Sequence, residues 1–230
     1  MKKVFFMALL ALAVSANASA RVIDGNDSNK LVIEDGELWD WTMHLGVGVN
    51  LASDAPDAYS FAPFKSWDVQ FTPFAFEYTP KNASQTYSVG LGFNWRNFGL
   101  KDNGTAFVKG GDVVGLGLFP VGTGSHYSSV HLLSLNVPLL FTQRINKNFA
   151  FSLGPVVNFN TGAWLKTGYK AGDVVTDLTT KKVGQRPVTV DIFAEFDAYG
   201  FGLFCKYAPM SVFKKDRGPE FKSFTVGLYF

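Results

Sequence analysis

The sequence is short of several things that would settle its class quickly. It has one cysteine, Cys205, in 230 residues. No intrachain disulfide framework is possible, and a lone thiol at a strand position reads as a small hydrophobe. No stretch beyond Ala20 stays apolar for long enough to cross a bilayer, so a helical membrane span is excluded. No glycine-rich segment carries a phosphate-loop ending. Gly110–Gly117 (GGDVVGLG) lacks the Lys-Ser/Thr that would hold a nucleotide. No His, Cys, Asp or Glu cluster has metal-ligand spacing. These absences leave no catalytic, cofactor-binding or metal-binding residue to assign, and the expectation is a protein that is not an enzyme and needs no cofactor.

A strong charge of either sign is also missing. Lys2 and Lys3 precede an unbroken apolar run, Val4 to Val14, and Ala18-Ser19-Ala20 forms a small-x-small cleavage site. This is the pattern of a secretory signal peptide over 1–20. No cysteine stands at the cleavage point, so a lipid anchor is not expected. Without the two signal lysines, 19 basic residues balance 19 acidic ones. A neutral chain gives no reason to expect nucleic acid as a partner.

Aromatic residues are present in quantity: 36 are Phe, Trp or Tyr, and 23 of those are Phe. From about residue 39 they recur with period two, the signature of strands. Trp41, Met43, Leu45, Val47, Val49 and Leu51 share one face. Thr42, His44, Gly46, Gly48 and Asn50 share the other. Trp67, Val69 and Phe71 continue the pattern, then the parity slips at Pro73 and passes to Phe74, Phe76 and Tyr78. A β-bulge at Pro73 accounts for the slip. The cleanest run is Tyr87, Val89, Leu91, Phe93 and Trp95. Further runs lie at 133–142 (with Leu140 out of phase), 149–160, 188–195, 201–207 and 224–230. That makes eight strands.

The connections alternate in length. Ala52–Lys65, Gly99–Ser128, Thr161–Gln185 and Ala208–Glu220 are long. Thr79–Ala83, Arg144–Asn148 and Asp197–Gly200 are short and carry the turn residues Pro, Asn, Asp and Gly. All short turns then fall on one rim of a closed sheet and all long loops on the other, as in outer-membrane barrels. A soluble barrel would point its apolar face inward and clothe the other face in Lys and Glu. Here the second face is mostly Gly, Ser, Thr, Asn and Ala, suited to a crowded eight-stranded lumen. The in-run charges Asp68, Glu77, Arg96, Asp191, Glu195 and Lys206 sit on that face. The expected fold is therefore an all-β, eight-stranded, antiparallel, transmembrane up-and-down β-barrel over 39–230. A periplasmic segment over 21–38 would precede it.

Two hairpins carry a family resemblance. "NVPLLFTQRINKNFAFSLGPVVNF" (Asn136–Phe159) and "YAPMSVF…GPEFKSFTVGLYF" (Tyr207–Phe230) resemble the small outer-membrane β-barrel proteins of Bacteroidota, the PorT-like group. The resemblance implies an eight-stranded barrel in the outer membrane and carries over no catalytic residue. The closing strand, ending on Phe230, resembles the signal that the barrel assembly machinery reads.

The expected role is structural or surface interaction without catalysis, with outer-membrane lipid around the wall. An extracellular ligand would be met at the loops 99–128 and 161–185. A narrow porin-like channel is the alternative, with a salt-bridge ladder such as Glu77–Arg96 or Glu195–Lys206 filling or gating the lumen. A lipid-modifying enzyme comes third, on the stretch Ser125-His126-Tyr127-Ser128-Ser129-Val130-His131. Ser129 and His131 share a strand face, but alternate residues stand about 7 Å apart, and no third group is fixed by the spacing.

Overall fold

The computed structural model describes residues 31–33, 37–81, 83–101 and 103–230. The expected signal peptide over 1–20 lies outside the described residues, as do 21–30 and 34–36 of the expected periplasmic segment. Twelve strands are described: β1 (Leu31–Ile33), β2 (Glu37–Ser53), β3 (Trp67–Thr79), β4 (Gln85–Gly99), β5 (Thr105–Gly110), β6 (Val113–Leu118), β7 (Thr123–Arg144), β8 (Phe149–Ala171), β9 (Val174–Lys181), β10 (Val188–Ala198), β11 (Phe201–Ala208) and β12 (Lys222–Tyr229).

Eight of them close into an up-and-down antiparallel barrel. Around the ring the order is β2, β3, β4, β7, β8, β10, β11, β12 and back to β2. The seam between the last and first strands runs from Lys222 opposite Ser53 to Tyr229 opposite Gly46. Beyond it, Phe230 and Leu45 exchange both backbone hydrogen bonds at 2.8 Å. Closure leaves no open edge along the ring.

The expected bulge is present. Pro73 falls within the register shift of β3 against both neighbours, where Thr42 pairs with Ala75, His44 with Thr72, Phe71 with Phe93 and Phe74 with Leu91. Proline has no N–H for the ladder, so the pairing skips there. Its carbonyl accepts a hydrogen bond from the Trp41 indole N–H at 3.4 Å.

Side chains alternate between wall and lumen as the period-two pattern requires. Outward positions such as Trp41, Phe76, Leu91, Phe93, Leu153, Ile192 and Leu228 are exposed large hydrophobics. Inward positions such as Asn50, Asp68, Asn94, Arg96, Asn158, Asp191, Lys206 and Thr225 are buried. Leu140, the residue out of phase, packs inward against the cluster of Val156, Phe193, Phe204 and Tyr229. Glycines on the lumen face make room for that cluster. A Cβ at Gly48 would meet Phe204 Cζ at 3.0 Å, and one at Gly46 would meet Gln70 Cγ at 2.6 Å and Tyr229 Cδ2 at 2.9 Å.

The long connections hold more structure than the sequence pattern predicts. Gly99–Ser128, expected as a loop, contains the β5–β6 hairpin and the first part of β7. Thr161–Gln185, also expected as a loop, is mostly strand: β8 runs on to Ala171 and β9 returns along it. The reason is local. Gly111 and Gly172, both at positive φ, supply the tight turns. The flanking Val, Leu and Thr residues favour strand. Those strands lack a clean period-two pattern because they pair partly with one another outside the closed ring.

Candidate functional site

Three places on the barrel gather chemistry: the lumen, the long-loop rim and one patch of the outer wall.

The lumen holds a charge-balanced network. Lys206 Nζ lies 2.7 Å from Asp68 Oδ2, and Arg96 Nη1 lies 3.4 Å from Asp191 Oδ2. All four side chains are 2% exposed or less. Asn94 donates to Asp68 at 2.7 Å, and Asn158 donates to Asp191 at 2.9 Å. Lys206 also donates to Asn94 Oδ1 at 3.3 Å. Asp68 and Asp191 thus each have a cation and an amide beside them, the arrangement that makes burying charge tolerable. The ladder expected between Glu77 and Arg96 is corrected here. Glu77 stands opposite Ser88 and Arg96 opposite Asp68, at opposite ends of the β3–β4 pairing. Lys206 stands opposite Phe193 in register, and Glu195 opposite Phe204. The ammonium of Lys206 reaches across the lumen to Asp68. The ion pairs span the lumen because only there do long side chains from a narrow ring converge.

Toward the short-turn rim, Thr42 donates to Glu77 at 2.9 Å and contacts His44 Nε2 at 2.8 Å. His44 stacks on Tyr229 with ring centroids 5.3 Å apart. A cavity of about 10 Å³ remains beside Gln70, Asn136, Phe193 and Tyr229. That is about the room one water needs.

At the long-loop rim the lumen ends in an apolar core. Phe98, Val130, Leu132 and Leu165 come from barrel strands, Phe107 and Val114 from the β5–β6 hairpin, and Phe213 and Phe221 from the β11–β12 connection. Fully burying each such side chain stabilises by about 1.5–3 kcal/mol. Ser128 Oγ accepts from the Phe107 N–H at 2.9 Å and bonds Thr167 Oγ1 at 2.9 Å, which ties the hairpin to β7 and β8. Arg217 bridges the hairpin turn to the last long connection at 2.6 Å from Asp112 Oδ2. The hydrogen bond from Arg217, with its charge, holds the Asp112 carboxyl below its ordinary value. A surface cleft of about 380 Å³ lies beside the first long connection, lined in part by Asp54, Asp57, Tyr59, Phe61 and Lys101. The alternation pattern does not single it out, because most of its lining comes from irregular chain beyond the end of β2.

The third place is on the outside. Ser129 and His131 both point outward from β7, and their side chains lean together: Ser129 Oγ is 3.1 Å from His131 Nε2. The wide spacing expected along the strand is thus closed by the side chains. His131 stacks flat on Trp164, centroids 5.4 Å apart at 8°, with Trp67 and Trp95 at 6.2 and 6.3 Å. In register, Asn97 on β4 faces His131, and Lys166 on β8 faces Ser129. Ser125 is exposed, and His126 contacts the Gly124 carbonyl at 2.9 Å and packs on Phe119. Of the residues singled out over 125–131, the fold brings together one serine and one histidine. The sequence offers no sign of Asn97, because it is distant from His131 in the chain and only strand register joins them.

No protein-family model matches the chain. No curated protein matches it. Among solved structures, it is similar to Ail, the attachment invasion locus protein of Yersinia pestis, solved in complex with the heparin analogue sucrose octasulfate. The identity is 12%, covering 85% of this chain and 99% of that one, with a TM-score of 0.36. A likeness that low adds nothing to the barrel, which rests on its own strand pairing.

Proposed function

We propose that the chain is an outer-membrane barrel, like the Bacteroidota barrels that its two hairpins resemble, and that its own role is surface interaction. The observation that carries this reading is that the barrel is inside out. Its wall is a continuous apolar and aromatic surface, while its buried face holds Asp, Lys, Arg and Asn. Water would penalise such a wall, and hydrocarbon would accept it, because closure pairs every ring strand on both sides. Trp67, Trp95 and Trp164 gather near the long-loop end, where an interfacial aromatic belt belongs.

In this reading the chain is exported by a cleaved signal peptide, and the assembly machinery recognises the strand that ends on Phe230. The lumen does not conduct, since cross-lumen ion pairs and an apolar core fill it. The long connections face outward as a folded crown. Support for a crown that meets a partner comes from its tips. Leu118, Val121, Val174 and Val175 are 84%, 105%, 65% and 68% exposed, and apolar surface of that kind suits contact with another molecule.

Heat-modifiable gel mobility of the membrane fraction, with protease shaving of whole cells, tests the reading. The expected result is a band that shifts on boiling and cleavage confined to the crown segments. A soluble, unshifted protein would sink the membrane assignment. Stable conductance steps in planar bilayers would replace the filled lumen with the channel reading.

A further inference from the structure

The outer wall carries a feature that a surface-interaction barrel does not need. We propose that Ser129, His131 and Asn97 form an acyl-ester hydrolysis site on the membrane-facing wall, acting on anionic lipid esters. The inference rests on the membrane reading above, which supplies the substrate's location.

The geometry begins with the pair at 3.1 Å, Ser129 Oγ and His131 Nε2. A serine hydroxyl is a weak nucleophile until an adjacent base takes its proton. With Ser129 donating, Nε2 accepts and Nδ1 carries the ring proton. That proton calls for an acceptor to fix the tautomer. His131 Nδ1 is buried without a hydrogen-bond partner, and so is Asn97 Oδ1. Asn97 faces His131 directly across the β4–β7 ladder, where side chains start about 4.5–5.5 Å apart at Cβ. Its amide nitrogen is committed to the Lys65 carbonyl at 2.6 Å, which leaves the oxygen as the free end. These two polar atoms of complementary kind, on residues 5% and 7% exposed, face each other across the ladder without bonding each other, and a side-chain rotation of either residue would join them. They make sense as a histidine and its orienting group.

The surroundings choose the substrate. Trp164, Trp95 and Trp67 ring the histidine, offering apolar faces for an acyl chain. Lys166, across from Ser129 on β8, brings a cation to the side where a lipid phosphate would lie. Ser129 keeps only 8% of its surface exposed, so an acyl ester must displace neighbouring side chains to reach it.

The chemistry balances without a cofactor. Ser129 Oγ bonds to the acyl carbonyl carbon as its proton passes to His131 Nε2. The ester C–O bond breaks, and the leaving alcohol oxygen takes that proton. Water then attacks the acyl-serine, giving its proton to Nε2. The carboxylic acid departs, and the serine oxygen recovers the proton. Asn97 touches no reacting atom and is a positioning residue.

The test uses the full chain folded into vesicles of phosphatidylglycerol or of phosphatidylcholine, with boiling-dependent mobility confirming insertion in each sample. A long-chain fluorophosphonate should label Ser129 in the wild type, located by peptide mass spectrometry. Ser129→Ala and His131→Ala should each lower fatty-acid release by about 1000-fold or more. Asn97→Ala should lower kcat about 10- to 100-fold with KM unchanged, as misplacement of a reacting group does, and Asn97→Asp should restore much of it. Lys166→Gln should raise KM for phosphatidylglycerol but not for phosphatidylcholine. An inserted wild-type barrel that takes no label at Ser129 overturns the site, and so does fatty-acid release that survives Ser129→Ala. A chain that does not insert refutes the membrane reading instead, so the two failures are distinct.

Discussion

Lys206 on β11 and Asp68 on β3 meet at 2.7 Å inside the barrel, although three steps around the ring separate their strands. Arg96 on β4 and Asp191 on β10 are likewise three strands apart. The barrel is thus cross-braced through its lumen as well as hydrogen-bonded around its wall.

Removing one end of a buried ion pair leaves the other charge without compensation. Lys206→Met should destabilise the barrel by about 3–5 kcal/mol. Adding Asp68→Asn should recover more than half of the loss. Urea titration of the protein in vesicles, followed by tryptophan fluorescence, measures both. Equal stabilities for Lys206→Met and the double variant would show that the uncompensated Asp68 charge is not the source of the loss.

The lumen glycines are spaces for named neighbours. Gly46→Ala places a methyl 2.6 Å from Gln70 Cγ, and overpacking of this kind costs about 1–3 kcal/mol. Gln70→Ser shortens one of the two obstructing side chains, so the double variant should regain part of that cost in the same titration, the contact with Tyr229 Cδ2 at 2.9 Å remaining.

The wall should reject charge where the lumen accepts it. Val226 points outward between Cys205 and Val49 on the neighbouring strands. Val226→Arg should cost about 2–4 kcal/mol if the wall faces hydrocarbon near the midplane. A soluble barrel would tolerate arginine at this 40% exposed position with little change, so folding yields into vesicles separate the two environments.

The crown should loosen in acid. Arg217 holds the Asp112 carboxyl below its ordinary value of 3.8. The contact therefore contributes above that value and is lost as pH falls through the lower folded-state value. Hydrogen exchange of β5 and β6, corrected for intrinsic rate, should show extra opening below about pH 3.8. In Arg217→Gln that extra opening should be absent. Both side chains are largely exposed, so added salt should weaken the effect.

Much of the barrel was legible because its two faces differ so sharply in chemistry. Tyr87 to Trp95 alternate with Ser88, Gly90, Gly92 and Asn94, and that alternation fixes both the strand and its orientation. Pro73 announced its own bulge. The crown was less legible, since the β5–β6 and β8–β9 hairpins pack on neighbours that belong to distant loops. The outer-wall site was half visible. Ser129 and His131 are near neighbours in the chain, but nothing in their spacing says that the side chains converge or that Asn97 lies opposite.

The sequence by itself determined the local terms: the period-two pattern, the turn residues, the small lumen face and the bulky wall. These depend on immediate neighbours along the chain. Tertiary structure decided the pairings: which carboxylate meets Lys206, which loops close the mouth, and which amide faces His131. Those depend on ring closure and register, which bring together residues from strands far apart in the chain. Alternation says only that a charge points inward, and the narrow lumen decides what it meets there.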